Sequence, residues 1–186
     1  MGYAPSKLLS AVDLKALVAE VPDFPKPGIS FKDVTPIFAD ADALHSAIAL
    51  LRAQIARVTD RVDTIVAAEA RGFILGCVLA RDLGAGFIPT RKPGKLPRET
   101  HGVEYGLEYG TDSLHMHRDA ITPGQNVVIH DDLLATGGTA AATAKMVQEL
   151  GGEIVAYSFL IELTSLAGRE RLPGGAQVLS LIQFDD

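Results

Sequence analysis

The sequence predicts an α/β fold, a mostly parallel sheet flanked by helices. Three observations predict it. Short apolar runs such as 64–68 lack the polar alternation of a half-wetted strand, so both of their faces are covered. Helical patterns separate these runs, and strand–helix alternation makes neighbouring strands parallel. The chain has 186 residues, enough for one domain, taken as 1–186, with a substantial core.

Residues 6–20 carry helical apolar spacing at Leu8, Leu9, Val12 and Leu17, with Ser6 as a possible N-cap. Three prolines at 22, 25 and 27 then exclude a helix interior and predict a stiff, extended surface segment. Residues 29–34 suit a short strand. The stretch 41–58 reads as a helix with Leu44, Ile48, Leu51 and Ile55 on one face. Residues 64–68 form a buried strand, 72–83 a helix and 86–89 a second strand. Residues 91–113 are polar, contain Pro93 and Pro97, and are too long for an ordinary connection, which favours a lid or hairpin flap. A third strand at 126–130, a helix at 139–150, a fourth strand at 153–161, a short helix near 165–171 and a strand at 177–183 complete the chain. In such sheets ligands bind outside the carboxyl ends of the strands, here 69–72, 90–95 and 131–139.

The formal net charge of −6 argues weakly against nucleic acid as the main partner. No apolar stretch reaches the ~18 residues of a membrane span. Lys7 and Asp13 break the early apolar run, so no signal-peptide pattern is expected. The single cysteine, Cys77, cannot form an internal disulfide and fits a reducing cytoplasm. Its neighbours Leu75, Val78 and Leu79 predict a buried position.

Residues 127–139 read Val-Val-Ile-His-Asp-Asp-Leu-Leu-Ala-Thr-Gly-Gly-Thr. An apolar strand ends in two acids, and a small turn leads into an Ala-rich helix. Adjacent carboxylates can accept hydrogen bonds from vicinal hydroxyls. The turn offers backbone N–H groups, the Thr136 and Thr139 hydroxyls and a helix N-terminus to a phosphate monoester. It is neither a P-loop nor a dinucleotide fingerprint, because GxxxxGK[ST] and GxGxxG are both absent. The bland alternative, a plain strand–turn–helix junction, does not explain paired carboxylates.

Glu69-Ala70-Arg71-Gly72 follows the strand at 64–68. The N–H groups that open the next helix, with Arg71, make a second anion site suited to diphosphate. The blander reading pairs Arg71 with Glu69. Arg91-Lys92-Pro93-Gly94-Lys95 places three cations within five residues, either a solvated basic turn or a means of neutralising diphosphate.

The 131–139 stretch resembles the 5-phosphoribosyl-1-pyrophosphate (PRPP) signature of the type I phosphoribosyltransferases. Other motifs occur with it in order: Asp23-Phe24-Pro25-Lys26-Pro27-Gly28, Glu69-Ala70-Arg71-Gly72-Phe73, Arg91-Lys92-Pro93-Gly94-Lys95-Leu96-Pro97, Leu107-Glu108-Tyr109-Gly110, Phe159-Leu160-Ile161-Glu162-Leu163 and Gly168-Arg169-Glu170. Together they resemble the adenine phosphoribosyltransferase family across nearly the whole chain. The resemblance implies a type I phosphoribosyltransferase-like fold with a flexible catalytic flap at 91–113 and a small purine-binding hood within 1–35. It implies joining of adenine N9 to C1 of PRPP, giving AMP and diphosphate in purine salvage, in a cytoplasmic homodimer that binds no nucleic acid and no membrane.

The resemblance also implies site residues. Asp131 and Asp132 would hold the ribose hydroxyls, and Ala135, Thr136, Gly137, Gly138 and Thr139 the 5′-phosphate. Glu69, Ala70, Arg71, Arg91 and Lys95 would surround the diphosphate. Phe24, Ser30, Lys32, Arg71 and Leu163 would meet adenine, and Glu108, Arg71 and Tyr109 would serve catalysis. Mg²⁺ would arrive on PRPP and water rather than in a protein cage.

Some residues depart from the family pattern. His130 stands where an aliphatic residue is usual and reads as a packing residue, facing away from Asp131. Lys32 and Ser30 replace the usual Arg and aliphatic residue, and Asp33 suits a turn cap. His115 and His117 share a strand face near His101, without a third metal ligand. Two other readings stay open: a PRPP-binding regulator without turnover, and a generic nucleotide-binding α/β domain. The regulator usually adds a DNA-binding module, for which this chain offers neither room nor a strong basic helix.

Overall fold

The structure is a computed structural model that describes residues 5–106 and 111–185. It contains two compact units, Met1–Leu50 and Leu51–Asp186.

In the first unit, helix α1 spans Ala11–Leu17, shorter than the predicted 6–20. Ser10, not Ser6, caps it. The Ser10 hydroxyl accepts from the Asp13 N–H at 3.2 Å while the Asp13 carboxylate accepts from the Ser10 N–H at 2.9 Å. Ser6 instead donates its N–H to Asp42 at 2.9 Å. Leu14 is fully buried, whereas Leu8 and Val12 are exposed. The capping box sets the helix start at Ser10, so Leu8 lies before the helix rather than within it.

Strand β1 (Ala19–Pro22) pairs antiparallel with β2 (Ser30–Asp33). The proline-rich segment between them is exposed throughout, as predicted. Asp33 accepts the Thr35 N–H at 2.9 Å and the Thr35 hydroxyl at 2.7 Å, which starts a helical turn the sequence reading missed, α2 (Thr35–Ala39). Helix α3 (Ala41–Val58) has the predicted bounds and runs through the boundary between the units. Its fully buried apolar positions are Ala43, Ala47, Leu51 and Ile55, while Leu44 and Ile48 are half-buried.

The second unit is built on β3 (Thr64–Ala68), α4 (Gly72–Leu83), β4 (Gly86–Thr90), β7 (Asn126–Leu134), α5 (Gly138–Glu149), β8 (Glu153–Leu163) and β9 (Gln177–Phe184). A two-stranded ribbon of β5 (Thr100–Gly106) and β6 (Thr111–His117) stands apart from the main sheet. The five-stranded sheet is parallel throughout, in the order β4-β3-β7-β8-β9. All five β3 residues are buried, as its unbroken apolar run requires.

The chain leaves β3 to one side for β4 and later returns to its other side as β7. This reversal opens a crevice at the carboxyl ends of β3 and β7. Helix α4 packs on β3 and β7, and α5 on β5, β7 and β8. Residues of β7 alternate between faces. Val127 and Ile129 join the apolar cluster that contains α5 residues Ala144, Met146 and Val147. His130 lies beside Gly76 of α4, where a Cβ would stand 3.5 Å from its ring.

Three expectations are corrected. Strand β7 does not end before the acids but continues through Asp131 and Asp132 to Leu134, because β8 keeps pairing with it as far as Glu162. The short helix near 165–171 is two 3₁₀ turns, Thr164–Leu166 and Gly168–Arg171, separated by Ala167 in a left-handed conformation (φ 50°). Cys77 is exposed, because the inward face of α4 is set by Leu75, Gly76, Leu79 and Ala80, leaving residue 77 on the outer side.

Candidate active site

At the carboxyl ends of β3 and β7 lies a cavity of about 250 Å³. Its lining includes Glu69, Ala70 and Arg71 after β3, the pair Asp131 and Asp132 within β7, and the whole loop Ala135, Thr136, Gly137, Gly138 and Thr139. The two anion sites and the diol site read from the sequence therefore converge on one space. That follows from topology, since parallel neighbours β3 and β7 present their carboxyl ends side by side.

The loop enters α5 through Gly137, whose φ of 80° a side-chain-bearing residue adopts poorly. No side chain caps this helix, so its first N–H groups have no capping acceptor and face an anion-sized space. Gly72 opens α4 close against Asp131. The peptide bonds Phe24–Pro25 and Glu69–Ala70 are cis.

A cavity lined by three carboxylates can take an anion only where their charge is offset. Arg71 Nε is ion-paired with Asp132. Arg91 Nε holds Glu69 Oε2 at 2.8 Å, and the Lys92 N–H holds Glu69 Oε1 at 2.9 Å. Burial pushes the Glu69 carboxyl up, but these two donors outweigh it and hold it below the usual carboxylate range. Asp131 goes the other way. Burial, then the neighbouring Asp132 charge, raise it well above an ordinary aspartate, which favours its neutral form.

The cation run at 91–95 divides. Lys92 lines the cavity, whereas Arg91 and Lys95 are not among its lining residues. Arg91 bonds Glu69 and, at 3.1 Å, the Lys95 carbonyl. Lys92 Nζ is ion-paired with Asp112 of β6 and lies 3.5 Å from the Tyr105 hydroxyl on β5. Tyr105 and Leu114 also line the cavity and were missed in the sequence reading, as was the inward orientation of Lys92. The only local signal was the cation run itself. The rest depends on pairing of Arg91 with His115, which brings the ribbon beside the end of β4.

Glu108 and Tyr109 lie outside the described residues. In the first unit, Phe24 is exposed and stands edge-on to Phe31, ring centroids 5.2 Å apart. Ser30 donates its hydroxyl to Glu20, and Lys32, buried, is ion-paired with Glu20 at 3.2 Å. Leu163 ends β8 in the second unit, half-buried. Its neighbour Glu162 is buried and held by Arg169.

His130 is fully buried, with Nδ1 3.4 Å from the Ser158 hydroxyl, and burial lowers its pKa to about 4. It is a packing residue of the sheet, as expected. His101 meets Glu149 at 2.5 Å and His115 meets Thr100 at 3.0 Å. Among the described residues no group of three or more His, Cys, Asp or Glu is placed to hold a metal ion. No helix among them is long and apolar enough to cross a membrane.

No family model matches the chain. It is 56% identical over 173 residues to an adenine phosphoribosyltransferase of Solibacter usitatus, covering 93% of this chain and 98% of that protein. The crystal structure of adenine phosphoribosyltransferase from Thermoanaerobacter pseudethanolicus superposes with a TM-score of 0.88 at 52% identity, covering 94% of this chain and all of that one. The Saccharomyces cerevisiae adenine phosphoribosyltransferase, solved with an imino-altritol bisphosphate and adenine, gives a TM-score of 0.87 at 40% identity, covering 92% of this chain and 97% of that one.

Proposed function

Since this chain belongs to the adenine phosphoribosyltransferase family, we propose that it transfers the 5-phosphoribosyl group of PRPP to adenine N9, forming AMP and diphosphate. The observation that carries this reading is the convergence of the carboxylate pair, the uncapped loop–helix junction and the 69–71 turn on one cavity.

In this reading Asp131 and Asp132 grip the ribose hydroxyls. The N–H groups and hydroxyls of 135–139 take the 5′-phosphate. Arg71 and Lys92 face the diphosphate. Arg91 acts through Glu69, and Lys95 completes the cationic rim. The sugar develops oxocarbenium character as a highly charged leaving group departs. Rate therefore comes from a fixed sugar, neutralised charge and removal of the purine proton. Glu108 is assigned to the proton and Tyr109 stands beside it. On the family resemblance, adenine is assigned to Phe24, whose ring is exposed, and to Ser30, Lys32, Arg71 and Leu163.

Magnesium suits this donor set. The cavity carboxylates, which among the described residues form no cage of three or more metal-ligating side chains, match an ion that keeps several waters and arrives on substrate phosphates. Bound that way, it would neutralise diphosphate charge as the bond breaks. We further propose that the protein is a cytoplasmic homodimer with no nucleic-acid or membrane partner, as expected from its single cysteine and its family.

The test supplies each common nucleobase with PRPP and Mg²⁺ and identifies the nucleotide formed. AMP from adenine is the expected product. Turnover of guanine, hypoxanthine or orotate in its place would remove the adenine assignment and leave the reaction class. Binding of PRPP without turnover, together with a shift of DNA mobility, would favour the regulator reading.

A further inference from the structure

The 3₁₀ turn at Gly168–Arg171 is built against the 135–139 loop main chain to main chain. A Cβ on Gly168 would stand 2.1 Å from the Ala135 carbonyl oxygen. A Cβ on Gly137 would stand 2.3 Å from the Gly168 carbonyl oxygen. Each backbone occupies the space a side chain would take on the other, so the loop cannot shift unless the turn shifts with it.

The turn is anchored from the far side. Arg169 grips Glu162 of β8 with two parallel bonds, Nε to Oε1 at 2.5 Å and Nη2 to Oε2 at 2.6 Å. Its Nη1 donates to the Val178 carbonyl at 2.9 Å, and Nη2 lies 3.3 Å from the Ser180 hydroxyl, both on β9. Gln183 adds a third bond to Glu162 at 3.1 Å. The Glu162 side chain is only 4% exposed, so its charge depends on this fork. Neither Glu162 nor Arg169 lines the cavity.

We propose that the Glu162–Arg169 pair is a positioning device for the phosphate loop: it holds Gly168 against Ala135 and Gly137, and so keeps the loop donors aimed at a 5′-phosphate. The proposal rests on the reading of 135–139 as the 5′-phosphate site. It has a selective consequence. PRPP and AMP both carry a 5′-phosphate and depend on the clamp; adenine and free diphosphate do not.

The experiment measures kcat, KM for PRPP and adenine, and inhibition by AMP and by diphosphate. It uses wild type, Arg169→Lys, Glu162→Gln and Gln183→Ala. Lysine keeps the charge but loses the planar fork, so Arg169→Lys raises KM for PRPP and the AMP inhibition constant together, by about tenfold. Glu162→Gln moves the same two constants in the same direction. Gln183→Ala removes one bond at an exposed position and moves them by about threefold. The adenine and diphosphate constants stay put, and kcat changes little. Ile55→Val, a core change lowering the melting temperature, leaves all of them alone. Variants with wild-type constants for PRPP and AMP overturn the clamp. So does an equal loss for all four ligands, or the same shift in Ile55→Val. A wild type that binds neither PRPP nor AMP overturns the site reading as well, a result plainly different from variants that bind both normally.

Discussion

A Cβ placed on Gly72 would lie 2.7 Å from Oδ1 of Asp131. The residue that opens α4 is therefore small because a carboxylate of β7 occupies the space above it. Gly72 has no positive φ, so alanine there meets no backbone strain and is the better helix former. Gly72→Ala raises KM for PRPP by about tenfold through displacement of the Asp131 carboxylate. Melting and steady-state kinetics together check this. A large stability loss with unchanged KM would contradict it.

Asp131→Asn replaces a carboxyl group held toward its neutral form by an amide of similar shape, whose NH₂ cannot accept a hydrogen bond from a ribose hydroxyl. PRPP binding weakens by about 1.5–3 kcal/mol, tenfold or more, measured by calorimetry with Mg²⁺ present. Binding as tight as wild type would take Asp131 out of the sugar site.

Glu108→Ala lowers kcat by about a hundredfold while leaving PRPP affinity near wild type, as loss of a proton acceptor predicts. Single-turnover kinetics with saturating PRPP reads the effect. Equal turnover of the two proteins would exclude Glu108 from the chemistry.

Lys92→Ala weakens both PRPP binding and product inhibition by diphosphate, because Lys92 is the cation of the 91–95 run that lines the cavity. Arg91→Ala acts differently, since it leaves the partly buried Glu69 carboxylate short of a donor. That variant loses stability as well as affinity, and thermal melts separate the two.

Stability carries a signature of His130. Its folded pKa is about 4 against 6.5 in the unfolded chain, so the folded state keeps it neutral while the unfolded state takes a proton. Its contribution is complete above pH 6.5 and is lost as pH falls through 6.5 toward 4, by about 3 kcal/mol in all. Asp131 works oppositely: its raised pKa lowers stability as pH rises above its ordinary value. Glu69 and Glu162, held low, lose their contributions only as pH falls below about 4.5. The difference between wild type and His130→Leu, measured by urea unfolding from pH 7 to 5, isolates the histidine. Parallel pH curves for the two proteins would contradict the assignment.

Much of the fold was legible because it is locally encoded. The bounds 41–58, 64–68 and 72–83 follow from helical or unbroken apolar spacing, and the observed elements match them. Where local signals compete, the sequence alone does not decide between them. Ser6 and Ser10 are both plausible caps, and only the Ser10–Asp13 box decided between them. The acids at 131–132 looked like a strand terminus, yet pairing with β8 carries β7 past them. The cleft residues on β3 and β7 were legible because strand ends and glycine turns announce themselves. Tyr105 and Leu114 were not, since nothing near them in the chain marks a cavity wall.

The chain's own pattern determined the parallel α/β architecture, the glycine loop at 135–139 and the carboxylate pair, because backbone geometry ties each to the spacing of a few consecutive residues. Tertiary structure decided which cation faces the cavity, which cysteine environment results and what packs against the 135–139 loop. Lys92 turns inward because Glu69 of the β3 end engages Arg91 while β6 supplies Asp112. Arg169 meets Glu162 because β8 and β9 run side by side beneath the turn. Those contacts join residues far apart in the chain, and they form only when strand order brings them within hydrogen-bonding distance.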